Sequence, residues 1–178
     1  MIGVVVDMVF VYLIFSYIEE RRRKKIVIEN ERRARSYLRF FIVDLLRFKP
    51  LLDRCLVEHK EFELFIESPE KFKFYDFQSA FNAKIINKIS EEISVIESEA
   101  LCDHIKNHIS IELSSLQAML PVISGVSKEH FKNWQRILYF MSMINKGNNT
   151  ISNTKKILAK IKSFDVNTVK KFNVIQKT

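Results

Sequence analysis

The sequence predicts an all-α protein in which an N-terminal transmembrane helix continues into a cytoplasmic multi-helix domain. Three observations carry that prediction. Three Gly and three Pro in 178 residues leave few places for turns, so long helices with short connections are favoured over a sheet-rich fold. Apolar residues recur at steps of three and four along most of the chain, the period of a helix with one buried face. The chain also opens on a mostly apolar run, Ile2 to Ile18, broken only by Gly3, Asp7 and Ser16, which leads through Glu19 and Glu20 into Arg21, Arg22, Arg23, Lys24 and Lys25.

That opening run reads as an anchor with a basic stop. A cleaved export signal carries positive charge first, then a short apolar stretch, then a small-residue cleavage site. Here the charge follows the apolar stretch, and Phe15, Tyr17 and Ile18 stand at its exit. The positive-inside rule puts the basic cluster in the cytoplasm, which predicts a single pass, N-out and C-in, at the inner (cytoplasmic) membrane. The seventeen residues of the run cover about 25 Å as a helix, against about 30 Å of hydrocarbon. Three outcomes are open for so short a span: the bilayer thins while Arg21 snorkels, the anchor inserts in part, or the natural helix begins upstream of Met1. Asp7 would cost about 3 kcal/mol near mid-membrane, so it belongs at the outer surface or against a like helix in an oligomer. The expected organisation is an anchor over 1–20, a basic juxtamembrane helix over 21–49 and a helical cytoplasmic domain over 50–178.

No Gly or Pro interrupts residues 19 to 49, so the anchor continues into the neck as one helix. Ala34, Leu38, Phe41, Leu45 and Phe48 follow a 4,3,4,3 spacing that makes one stripe, widened by Tyr37 and Ile42. This stripe is expected to pack on later helices of the same chain; two heptads are too few for a coiled coil, although parallel self-association uses the same face. Pro50 marks a kink or a new start, after which Leu51, Leu52, Cys55 and Leu56 make an apolar face running to about Ile66. Ser68-Pro69-Glu70 is a helix-start signal. Phe62, Phe65, Phe72, Phe74, Tyr75, Phe77 and Phe81 crowd the same region. Together with Lys71 and Lys73 such aromatics can stack on unpaired bases. The flanking Glu58, Glu61, Glu63, Glu67 and Glu70 repel a phosphate backbone, so core or interface packing is expected there.

From Phe77 to Leu120 the residues Phe81, Ile85, Ile89, Ile93, Ile96, Ala100, Ile105, Ile109, Leu113, Leu116 and Leu120 predict one long amphipathic helix, or two with a bend. Pro121 and Gly125 end it. Ser127 caps a helix carrying Phe131, Trp134, Ile137, Leu138, Met141 and Ile144, and Lys146-Gly147-Asn148-Asn149 is the clearest loop. A last helix carries Ile151, Ile157, Leu158, Ile161 and Phe164, with Asp165 expected to cap a short final turn through Val169 and Phe172.

The net charge of +8 is unevenly spread. Residues 21–50 hold eleven Arg and Lys against three acids, residues 51–127 seven against thirteen, and residues 128–178 eleven against two. A basic neck beside a bilayer attracts anionic lipid headgroups, with about 1 kcal/mol from each nearby Lys or Arg. The basic C-terminal third has three candidate partners: the same membrane surface, the acidic middle of the chain, or nucleic acid, the last of which is not expected.

One constellation could carry chemistry. His104, His108 and Glu112 lie at i, i+4 and i+8 on one helical face, beside Cys102 and Asp103, and two His at that spacing can chelate zinc. The Glu that directly follows the first His in catalytic zinc helices is replaced by Ile105, and Glu112 is two turns from His104. A solvated polar flank is the expected role, with His104 and His108 retained as candidate metal ligands. Cys55 and Cys102 are expected to be reduced. No glycine-rich phosphate loop, nucleophile elbow or Cys-x-x-Cys motif occurs, so no catalytic residue and no cofactor is assigned, and an enzyme is not expected.

Ile2-Gly3-Val4-Val5, followed by Tyr17-Ile18-Glu19-Glu20-Arg21-Arg22-Arg23, resembles a broad group of bacterial single-pass inner-membrane proteins of unknown function with a helical cytoplasmic region. The likeness covers the first twenty-five residues or so. It implies an inner-membrane setting and carries no activity or site. It departs at the start, where the group has more chain before the Gly. Two function classes follow from the whole reading. The first is a membrane-tethered helical interaction module that binds a protein partner or itself as a homo-oligomer. The second is a membrane-acting effector or toxin, of the stress or phage-defence type, whose oligomerised N-terminal helix permeabilises the bilayer.

Overall fold

A computed structural model of the chain describes residues 2–56 and 79–172, with side chains described for 8–55 and 83–172. The described residues form seven helices and no strand: α1 (Ile2–Leu46), α2 (Lys49–Leu56), α3 (Ser79–Ile96), α4 (Glu99–Ala118), α5 (Leu120–Ser124), α6 (Lys128–Asn145) and α7 (Thr150–Phe172). The all-α expectation holds. Among the described residues no helix is long and apolar enough to cross a membrane, and the expected transmembrane run includes Asp7 and its neighbours, whose side chains lie outside the described ones. The Ser68-Pro69-Glu70 signal and the aromatic cluster from Phe62 to Phe81 also fall outside the described side chains.

α1 is the 45-residue axis of the molecule, and its two halves meet different surroundings. Every residue from Met8 to Ile26 is exposed. From Glu31 onward the helix joins the core, where Ala34, Leu38, Phe41, Ile42, Leu45 and Leu46 are buried. The 4,3,4,3 stripe therefore does what its period requires, with Phe48 partly buried at its end. The helix stops at Leu46, and Pro50 sits in the opening turn of α2, where its missing N–H costs no hydrogen bond.

Of the stretch from Phe77 to Leu120, the described part from Ser79 to Ala118 is two long helices, and Leu120 opens the short helix that follows. Ser98 separates α3 from α4, and its side chain accepts the Leu101 N–H at 3.3 Å, an N-cap that satisfies one of the orphan donors of a helix start. The break resets the helical phase. Leu101 is buried, while Ala100, placed in the stripe by uninterrupted counting, is exposed. Pro121 lies in the first turn of the short α5, and Gly125 closes it. Ser127 caps α6 as expected, accepting the His130 N–H.

α6 and α7 form an antiparallel hairpin across Lys146–Asn149, where Gly147 takes the positive φ of 82° that side-chain-bearing residues avoid. This pair makes the most extensive helix contact in the fold, and α3, α4 and the second half of α1 pack around it. Trp134, Phe41 and Phe164 are the largest fully buried side chains. Each such aromatic contributes about 2–3 kcal/mol of apolar burial. The Trp134 indole N–H is matched as well, donating to the Leu116 carbonyl at 3.0 Å. One expectation needs correction. Asp165 caps no final turn, because α7 runs unbroken to Phe172 and carries Asp165 as a buried residue on its inner face.

Candidate functional site

The arm of α1 is apolar around most of its circumference, with Ser16 and the hydroxyls of Tyr12 and Tyr17 as its polar groups. Phe10, Tyr12 and Phe15 are 65%, 72% and 67% exposed, and Val9, Val11, Leu13, Ile14, Tyr17 and Ile18 are exposed with them. An ordinary surface helix has an apolar stripe and a polar back; one that is apolar around most of its circumference is suited to burial in lipid or among other helices. At Glu19 the surface changes to charge. Arg23 pairs with Glu19 and Lys24 with Glu20, both at 2.6 Å and one helical turn apart. The Arg21 guanidinium lies 5.0 Å from the centre of the Tyr17 ring. These pairs are largely exposed, so they add little to stability, and their charges remain accessible.

The last turn of α7 arrives at this neck. Glu20, Arg23, Lys24, Val27 and Ile28 of α1, with Lys171 and Phe172 of α7, line a cleft of about 430 Å³. Lys171 reaches back to donate to the carbonyl of Val126, in the connection between α5 and α6. Of the residues expected at a lipid surface, Arg23 and Lys24 line this cleft, Arg21, Arg22 and Lys25 are exposed and do not line it, and Asp7 lies outside the described side chains. Sequence reasoning missed Lys171 and Phe172. Their signal, a basic pair next to an aromatic in the last helical turn, was present, but only the tertiary fold brings it to residue 23.

Below the cleft a buried polar chain ties α1 to α6 and α7. The Thr168 hydroxyl donates to Glu31 Oε1 at 2.7 Å. His130 Nε2 lies 3.1 Å from Thr168 Oγ1, and Ser127 Oγ lies 2.7 Å from His130 Nδ1. Arg35 pairs with Glu31 at 3.3 Å inside the core. Burial pushes Asp165 up to about 6, against the opposing pull of Arg35, and burial likewise raises Glu31 despite Arg35 and Thr168. Burial, aided by the Lys171 charge, pushes His130 down to about 4. The sequence of hydroxyl, imidazole, hydroxyl and carboxylate invites comparison with a nucleophile and its base. However, Ser127 is occupied as the α6 cap, and His130 and Thr168 have no exposed surface. The chain acts as a clamp between helices.

His104 and His108 do come together, though around a residue that spacing alone did not indicate. Both face Asp44 of α1: His108 Nδ1 is 3.0 Å from Asp44 Oδ2, and His104 Nε2 is 2.8 Å from the Asp44 carbonyl and 3.5 Å from its carboxylate. Burial raises the Asp44 pKa, but the hydrogen bond from His108 and the charges of His108, His104 and Arg47 outweigh it and hold the carboxyl below its ordinary range. The Phe41 and Phe48 rings flank the two imidazoles at 5.6 and 5.7 Å. Among the described residues no group of three or more His, Cys, Asp or Glu is placed to hold a metal ion. The pair joins α4 to α1. Cys55 and Cys102 are free, and burial pushes the Cys55 thiol up to about 12, far from the reactive range. Comparison with protein-family models, with curated proteins and with solved structures gives no match to this chain.

Proposed function

We propose that the protein is a membrane-tethered helical interaction module. The arm of α1 seats in the inner membrane with N-out, C-in polarity, and the bundle is held at the cytoplasmic face, where it binds a protein partner or a second copy of itself. The observation that carries this reading is the belt from Met8 to Ile18, exposed on every face and continuous with a helix whose second half is locked in the core. An arm of this kind left in water would expose more contiguous apolar surface than folded monomers ordinarily tolerate. The basic neck supports the same reading through its attraction to anionic headgroups. Membrane fractionation of cells expressing the full chain tests it. The native chain is expected in the membrane fraction, and the Phe10→Glu, Phe15→Glu double variant in the soluble one with an unchanged melting temperature. Equal distribution of the two proteins would refute the tether.

A further inference from the structure

We propose that the outer seam of the α6/α7 hairpin binds single-stranded nucleic acid, with its phosphates held by Arg136, Lys156 and Lys160 and one base stacked on Tyr139. This goes beyond the tether and does not depend on it. Three contacts fix how the two helices stand against each other: His130 with Thr168, Trp134 with Phe164, and Phe140 with Lys156. In that antiparallel register Lys160 is level with Arg136, as Lys156 is with Phe140. Arg136 and Phe140 lie one turn apart on α6, and Lys156 and Lys160 one turn apart on α7. Three cations therefore surround one aromatic ring along the seam. Tyr139 packs edge-on against Phe140, with ring centres 5.4 Å apart, and is itself 59% exposed.

These cations have no counter-charge. α6 and α7 carry two acids, Glu129 and Asp165. Asp165 is buried, and the Glu129 carboxylate turns to its own backbone and to Ser127 at the start of α6. Among the described residues no ion pair includes a Lys or Arg of either helix, so the basic excess of these helices is not spent on the acidic middle of the same chain. Arg136 and Lys160 repel across the seam, and an anion lying between them relieves that repulsion. With the arm in a bilayer, the seam stands clear of the lipid surface. α7 runs antiparallel to α1, with Phe172 beside Val27 and Ile28 and Thr168 on Glu31, so its earlier residues lead away from the arm. Along the helix Lys160 and Lys156 are about 18 and 24 Å from Phe172. Salt screens a surface charge within about 8 Å. A single strand uses both features of the seam, because cations follow its phosphates and an aromatic ring takes the face of any unpaired base.

The test uses the full chain in neutral detergent and four probes: fluorescent poly-U and poly-dT strands, an abasic strand of the same length, and phosphatidylcholine vesicles doped with phosphatidylglycerol. Both base-bearing strands are expected to bind, because nothing in the seam reads the sugar, and their affinity should fall steeply with salt. The abasic strand should bind roughly fivefold more weakly or worse. Tyr139→Ala should bring the base-bearing strands down to the abasic level, and Tyr139→Trp should keep them tight. Arg136→Gln and Lys156→Gln, both at exposed positions, should each flatten the logarithmic salt slope by roughly 0.7 and leave the melting temperature unchanged. The proposal is overturned if no strand binds in a salt-dependent way. It is equally overturned if the abasic strand binds as tightly as the others, which would make the seam a general polyanion surface. Loss of vesicle binding in the two Gln variants, with strand binding intact, would overturn it in favour of a lipid contact.

Discussion

At His130 the surrounding partners decide which ring nitrogen carries the proton. Thr168 has one hydroxyl hydrogen and directs it to Glu31 at 2.7 Å, in preference to its longer 3.3 Å contact with the Phe164 carbonyl. Its oxygen must then accept from His130 Nε2–H, which leaves Nδ1 to accept from Ser127. The network thus assigns a neutral Nε2–H imidazole. A protonated ring would put a donor on Nδ1, and Ser127 would have to reverse. His130 has a folded pKa near 4, lowered from 6.5 by burial and by Lys171. Its stabilising contribution is complete above about pH 6.5 and is lost as pH falls through about 4. The ring is expected to stay neutral down to that pH, read from its imidazole resonances; titration near 6.5 would contradict the network. Asp165 works in the opposite direction. Raised to about 6, its carboxyl is stabilising in the neutral form below about pH 4, and that contribution is lost as pH rises through 6. Asp165→Asn keeps the neutral shape at every pH, and Arg35 keeps Glu31 as its partner. The variant is expected to gain up to about 3 kcal/mol at pH 7.5, two pKa units of relief, and almost nothing at pH 4. A lower melting temperature at pH 7.5 would show that Asp165 supports the fold through Arg35.

Among the helices, α1 shows what a sequence pattern can and cannot reveal. Its buried stripe was legible because Ala34, Leu38, Phe41 and Leu45 repeat at the period of the helix, and that spacing fixes a common face before any partner is known. The Ala100 error has an equally local cause: nothing about Glu97 and Ser98 forces a break, so counting through them shifted the phase by one residue. Asp165 was misread because a lone carboxylate in a polar stretch resembles a cap, and its surroundings include Glu31 and Arg35, which arrive from α1. The candidate site was half legible for the same reason. Arg23 and Lys24 belong to a contiguous cluster, whereas Lys171 becomes their neighbour only through tertiary packing. The joint of α1 with α4 gives a prediction at this scale. Asp44 accepts from His108 within a half-buried pair, so Asp44→Ala should cost about 1–3 kcal/mol by leaving a buried donor unmatched. Arg47→Ala removes only an exposed partner of Asp44 at 3.5 Å and should cost less than about 1 kcal/mol. Urea unfolding of both variants checks the ordering, and equal losses would show that the imidazoles contribute no more than the surface arginine.

Taken whole, the molecule separates two tasks along one helix. The part of α1 buried in the bundle begins at Glu31, and every residue from Met8 to Ile26 is exposed. The arm can therefore be altered without unfolding the bundle, which separates the tether from the pore-forming effector that the same arm could build. In a tether the arm needs only lipid around it. In an effector it needs copies of itself, and between Met8 and Ile18 such an assembly has only the hydroxyls of Tyr12, Ser16 and Tyr17 to turn toward a conducting path. These hydroxyls are few and carry no charge, so ion passage would depend on Asp7 or on thinning of the bilayer. The tether is accordingly expected. Induced expression of the full chain should leave the membrane potential unchanged by a voltage-sensitive dye, and growth should match that of cells carrying the Phe10→Glu, Phe15→Glu variant. Depolarisation that this variant abolishes would refute the proposed tether and assign an activity to the arm, and suppression of that depolarisation by Asp7→Ala would place the conducting path along the Asp7 face.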